Sequence, residues 1–186
     1  MFPALVGQGV LPVPMTIEEA LRGKEIPAHI RQSLALLDLE YRGFDGVPRI
    51  GQMVVHCDLA DEVRAIFLEI RAADFPIAAM VPVVVHDWSD DASMAANNSS
   101  AFNYRVAVGK TNLSQHAYGR AIDINPLQNP YIKGDLILPP GAVYDPAVPG
   151  TLLAQGPVVA AFEKRGWTWG GRWTTLHDWH HFEKPA

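Results

Sequence analysis

Residues 113–126 read LSQHAYGRAIDINP, with one histidine and one aspartate seven positions apart, His116 and Asp123. From Arg120 onward the stretch alternates. Ala121, Asp123 and Asn125 fall on one side, and Ile122 and Ile124 on the other. That period of two predicts a half-buried strand with Asp123 on its polar face. His116 lies in the turn before it. Two readings stay open at this point: the first half of a metal site, or a polar turn running into a strand.

Working outward, the elements do not alternate strand with helix in the manner of a parallel sheet. Upstream, Thr16 and Glu19 have capping-box spacing and Gly23 suits a stop, so a short helix is expected over 17–22. In PAHIRQSLALLDLEY, Pro27 suits a first helical turn, and Ile30, Leu34 and Leu37 share a helical face. GQMVVHC (51–57) is β-branched and apolar and reads as a strand, with Cys57 a buried small hydrophobe. Asp58 is the expected cap of the longest helix, whose stripe is Leu59, Val63, Ile66, Phe67 and Ile70; that stripe reads as core. FPIAAMVPVVVHDW reads as a buried strand bent at a proline. Residues 87–100 read as a loop, and 101–108 as a further strand.

Downstream, 126–150 is rich in Pro and Gly and reads as a long ordered loop. GPVVAAFEKRG is a short helix with Gly166 past its end. The aromatic C-terminus suggests two short strands around a turn. The expected fold is α+β, a central antiparallel sheet with flanking helices.

The chain has 186 residues, 48% hydrophobic and 19% charged, which suits one domain that buries its core without disulfides. Its net charge is −5 and it has no basic run, so nucleic acid is not expected as a partner. The single cysteine forbids an intrachain disulfide and also excludes the paired-cysteine zinc site of nucleobase deaminases. No apolar run has the length of a membrane span. The start, MFPALVGQGVLPVPM, is apolar but lacks a basic region and is broken by prolines, so it does not read as a signal peptide.

The chemistry-bearing residues gather in two places, 114–125 and 177–183. A catalytic zinc needs three protein ligands and one open position. His116 and Asp123 offer two. The C-terminal HDWHHFE adds His177, His180 and His181, with Asp178 and Glu183 beside them. Spacing does not decide which late histidine joins the first pair. His29, His56, His86 and His177 read as ordinary core or solvent contacts. Of Trp167, Trp169, Trp173 and Trp179, most are expected in the core, although such rings also suit the floor of a peptide or sugar groove.

SQHAYGRAIDINP, followed by GWTWGGRW and DWHHF, resembles the M15 family of zinc peptidases. These are the D-Ala-D-Ala carboxypeptidases and the L-alanyl-D-glutamate peptidases, which share a fold with the hedgehog signalling domain. Ser114, His116, Gly119, Ala121 and Asp123 match the family's S-x-H-x-x-G-x-A-x-D. Asp178 and His181 match its late D/E-x-x-H. SMAANNSSAFNYR resembles the stretch that ends in a substrate-binding arginine, here Arg105. One departure is His180, where many relatives carry glutamine or proline.

The resemblance runs from about residue 50 to the C-terminus. It implies a single peptidase domain over 1–186, with 1–50 an N-terminal helical extension and 51–186 the zinc peptidase core. It also implies a hedgehog/DD-peptidase-like fold and Zn2+ held by His116, Asp123 and His181. Asp178 would be the catalytic base. Arg105 would bind the substrate's carboxylate or its developing oxyanion. Ser114 would touch substrate or orient a ligand, or is simply a turn residue.

The implied partner is a peptidoglycan stem peptide, cut by a protein expected to act as a monomer. Such a substrate favours a place outside the cytoplasm. The alternatives are an L-alanyl-D-glutamate endopeptidase and a hedgehog-like zinc module that binds without cutting. The acid at Asp178, which a module without activity need not keep, argues for the enzyme.

Overall fold

The computed structural model describes residues 14–186; most of the apolar start lies outside the described residues. The capping box is present. Thr16 Oγ1 accepts from the Glu19 amide while the Glu19 carboxylate accepts from the Thr16 amide, and they start α1 (Ile17–Ala20). α2 (Ala28–Gln32) follows with Pro27 at its cap position.

The helix expected to continue through Leu34 and Leu37 stops at Gln32, and the chain enters β1 (Leu34–Arg42) instead. Leu37, Leu39 and Tyr41 are buried while Asp38 and Glu40 are exposed, which is the period of a strand. The three-and-four spacing of Ile30, Leu34 and Leu37 fits a helix only because it straddles the junction of two elements.

β1 turns through Gly43–Val47 and pairs antiparallel with β2 (Pro48–His56), from Leu34 opposite His56 to Arg42 opposite Pro48. Residue 50, the expected edge of the N-terminal extension, falls inside β2. Cys57 is exposed rather than buried, because the strand ends at His56 and the alternation with it. A 3-10 turn, Cys57–Leu59, leads into α3 (Ala60–Ala72). It is the His56 ring that accepts from the Asp58 amide; Asp58 itself does not cap α3. The apolar stripe of α3 is buried as expected and packs on the hairpin.

Between α3 and residue 113 three expectations are revised. Residues 75–88 make no strand. Pro76 and Pro82 interrupt any ladder, and the backbone pairs only at single bridges before a 3-10 turn, Val83–His86. The expected loop contains α4 (Asp90–Ala95), started by Ser89, whose Oγ accepts from the Ala92 amide, with Asp90 and Asp91 in the first turn. Residues 101–108 are extended but pair only at Val106 opposite Leu113.

In place of one central sheet the described residues form three small antiparallel sheets. The first is the β1–β2 hairpin. The second has the order β3 (Ala121–Asp123), β8 (His181–Glu183), β6 (Thr168–Trp169). The third has β5 (Leu136–Leu138), β4 (Tyr131–Lys133), β7 (His177–Asp178), so the expected long loop carries a hairpin. Pro126, Pro130, Pro139 and Pro140 lie at or near the ends of β3, β4 and β5, each three residues long.

α5 (Pro157–Glu163) precedes β6. Beyond it Gly166, at φ +81°, donates its amide to Glu163 O while the Trp167 amide reaches Phe162 O, the paired bonds of a Schellman ending. β3 is buried on both sides rather than one, with Ile122 and Ile124 in the core and Asp123 in the site. The main core joins the hairpin, α3, α5, Ile122 and Phe182. Among the described residues no helix is long and apolar enough to cross a membrane.

Candidate active site

β3 and β8 run antiparallel with Asp123 opposite His181, so both side chains leave the sheet on the same face. His116 arrives from a 3-10 turn, Gln115–Tyr118, started by Ser114, whose Oγ accepts from the His116 amide. Gly119 ends that turn at φ +66°. A Cβ there would stand 2.6 Å from the His56 amide nitrogen of β2, so only glycine allows this close approach. The turn therefore aims His116 at the β3–β8 face.

His116 Nε2 lies 3.1 Å from Asp123 Oδ2 and 3.1 Å from His181 Nδ1, and His181 Nδ1 lies 3.0 Å from Asp123 Oδ1. All three residues are buried. Of the late histidines it is His181 that faces the pair. His177 is exposed and stacks on Trp179. His180 Nε2 stands 4.0 Å from Asp123 and turns instead to Asp178.

The outer faces of the two rings are also engaged. His116 Nδ1–H donates to the Ala101 carbonyl, and His181 Nε2–H donates to Glu183 Oε2 at 3.1 Å. With a proton held on that far side, each ring has its inner nitrogen available as a metal ligand. Two ring nitrogens and a carboxylate thus converge on one point. The donor set fits a zinc-type cation, whose ligands would stand about 2.0–2.2 Å from it.

The charges of the group act strongly on one another. Burial opposes protonation of His181, but hydrogen bonds to Asp123 and Glu183 and the nearby Asp178 push it up to about 10. Burial opposes ionisation of Asp123, yet the imidazoles of His116 and His180 hold it well below the usual carboxylate range. The hydrogen bond from His181, against the effect of burial, lowers Glu183.

Asp178 sits at the end of β7, opposite Tyr131 of β4. Gly170 backs onto it; a Cβ there would meet Asp178 O at 2.5 Å. Asp178 Oδ1 is buried and lies 2.9 Å from His180 Nε2, but the two are not aligned as a hydrogen bond. The His180 ring is held from behind, Nδ1 donating to Asn129 O at 2.7 Å. Burial works against a charged His180, but Asp178 and Asp123 raise it to about 9.

Arg105 is less free than its expected role requires. Its Nη2 is 2.9 Å from Asp90 Oδ2 and its Nη1 donates to Val106 O, while its Nε is buried without a partner. One cavity of about 230 Å3 is nevertheless lined by Arg105, Ser114, Asp178 and the His116–Asp123–His181 group. Trp167 and Trp169 are core, as expected, whereas Trp173 lies against His181 with ring centroids 5.5 Å apart.

Asp90, Glu183 and Tyr131, to which the sequence alone assigns no role, also line the cavity. Glu183 had a usable signal, since two residues beyond His181 on a strand is the same face. Asp90 had only its place after a helix cap.

On this α+β scaffold the cavity holds a His–Asp–His group that could bind a metal, with a further carboxylate beside it. Residues 107–184 match the family model described as D-alanyl-D-alanine carboxypeptidase, and that match supports an M15-family peptidase. The matched span takes in His116, Asp123, Asp178 and His181 but begins after Arg105. No curated protein and no solved structure matches the chain.

Proposed function

We propose that the protein is a zinc-dependent peptidase of hedgehog/DD-peptidase-like fold that hydrolyses peptidoglycan stem peptides as a D-Ala-D-Ala carboxypeptidase. The observation that carries this reading is the convergence of His116 Nε2, Asp123 and His181 Nδ1 in the cavity that also receives Asp178. The family match supports the peptidase. His116, Asp123 and His181 would hold the zinc. When bound, zinc supplies a Lewis acid that polarises the scissile carbonyl and eases deprotonation of the attacking water. Asp178 Oδ1, buried and without an aligned donor, accepts the water's proton and delivers it to the leaving amine. Arg105, on the wall of the same cavity, meets the substrate's terminal carboxylate. It is expected to work as a monomer, on a substrate that favours a place outside the cytoplasm.

A second reading, an L-alanyl-D-glutamate endopeptidase, is favoured by one observation: Asp90 already answers much of the charge of Arg105. The two separate in one experiment. The zinc-loaded protein is incubated with stem peptides carrying a free or an amidated C-terminus, with and without chelator, and products are weighed by mass spectrometry. Loss of terminal D-Ala, abolished by chelator and by amidation, is expected. Cleavage of the amidated peptide at an internal bond replaces the carboxypeptidase with the endopeptidase. No hydrolysis of any stem peptide overturns both.

A further inference from the structure

We infer that Glu183 is a positioning residue for His181: as acceptor of the His181 Nε2 proton it selects the tautomer that turns Nδ1 toward His116 and Asp123. The inference rests on the proposed zinc site and adds to it a residue outside the set of metal ligands. β8 is three residues long. His181 and Glu183 leave it on one face, while Phe182 points the other way, fully buried against the core. The partner of Glu183 across the sheet is Ala121, whose methyl leaves room for the longer carboxylate to fold back along the strand. Glu183 Oε2 meets His181 Nε2 at 3.1 Å, and on its other edge Glu183 pairs with Thr168 of β6, so its backbone is held from both sides.

A histidine that binds through Nδ1 sits closer to its own backbone than one binding through Nε2, so its ring has fewer acceptable settings. A fixed acceptor at the far nitrogen removes the wrong tautomer and the rotated rings together. His116 is served in the opposite sense. Its Nδ1–H goes to the Ala101 carbonyl and its Nε2 turns inward. One ligand is thus oriented by backbone, which no substitution removes, and the other by a single side chain.

The test is zinc affinity, measured by competition with a chromophoric chelator on the parent and on Glu183→Ala, Glu183→Gln and His181→Ala. Glu183→Ala should weaken zinc roughly 10–100-fold, and Glu183→Gln, which keeps an acceptor oxygen, should recover most of that loss. A Glu183→Ala affinity within about twofold of the parent, with His181→Ala zinc-free, overturns this inference alone. So does a Glu183→Gln protein as weak as Glu183→Ala. Zinc binding absent from the parent, or unchanged in His181→Ala, overturns the zinc site and this inference with it. Should Glu183→Ala not fold, Glu183→Asp, one methylene shorter, takes its place and should weaken zinc in the same direction. A Glu183→Asp affinity equal to the parent's overturns the assignment.

Discussion

Asp178 is held in an unusual state for a partly buried carboxylate. One oxygen is buried with no aligned donor, although the charged environment of His180 and the open cavity are both close by. A carboxylate left this way keeps its acceptor capacity for a ligand rather than for the fold. Asp178→Ala leaves the backbone pairing of β7 with Tyr131 in place, but it removes the carboxylate 2.9 Å from His180 that, against burial, raises that ring's pKa, so it should cost some stability. It should lower kcat on stem peptide roughly 10²–10⁴-fold, the usual yield of a positioned base. Zinc content by elemental analysis should stay at the parent's value. Turnover at the parent's rate would make Asp178 a structural residue. His180 has a separate part. Clamped by the Asn129 carbonyl, it stands between Asp178 and Asp123 and keeps two carboxylates apart within one cavity.

At the level of elements, what was legible follows from length and period. α3 repeats its apolar stripe over three turns, and α1 carries a complete capping box, so both could be read from the residues. The strands of the site are two or three residues long and show no period of their own; β3 was visible only because Ile122 and Ile124 alternate on both sides of Asp123. β1 was hidden because its alternation starts at Leu37, three residues inside the strand. His116, Asp123, Asp178 and His181 were legible as a family pattern, whereas Glu183 depended on knowing that 181–183 is extended.

One element contact also has a pH signature. Glu69 of α3 accepts from Arg165 at 2.7 Å and from Lys164, both just beyond α5, and these bonds hold its carboxyl down to about 2. A carboxylate whose folded pKa is depressed stabilises the fold above its ordinary value near 4.5, and that contribution is lost as pH falls toward 2. The pair is solvent-exposed, so the effect is small. Urea unfolding of parent and Glu69→Gln should show a gap at pH 6 that narrows steadily below pH 4.5. A gap of constant size would assign it to packing instead.

The whole molecule mounts the site on parts far apart in the chain. The β1–β2 hairpin lies outside the matched span 107–184, yet it backs the site directly. The His56 amide donates to the Gly119 carbonyl at 2.8 Å, and the Phe102 amide donates to Val54, which sets the Ala101 carbonyl behind His116. At the other end the Lys184 amide donates to the Arg120 carbonyl, while its Nζ and the Trp167 indole both reach Glu62 of α3.

The three candidate ligands therefore come from a turn fixed by the hairpin, from β3, and from β8 near the C-terminus. No such grouping exists in the unfolded chain, so a metal that binds there binds the folded state and stabilises it by mass action. At 100-fold excess over its dissociation constant zinc should add about 2.7 kcal/mol, which for a chain of this size is a rise in Tm of roughly 5–10 °C. Differential scanning fluorimetry of the chelator-stripped protein with and without zinc measures it, and His116→Ala or Asp123→Ala should abolish the rise. An equal rise in Asp123→Ala would move the metal elsewhere. Among the described residues the His56–Cys57–Asp58 group, with His56 half-buried and Arg120 3.5 Å from Asp58, could also offer ligands to a metal.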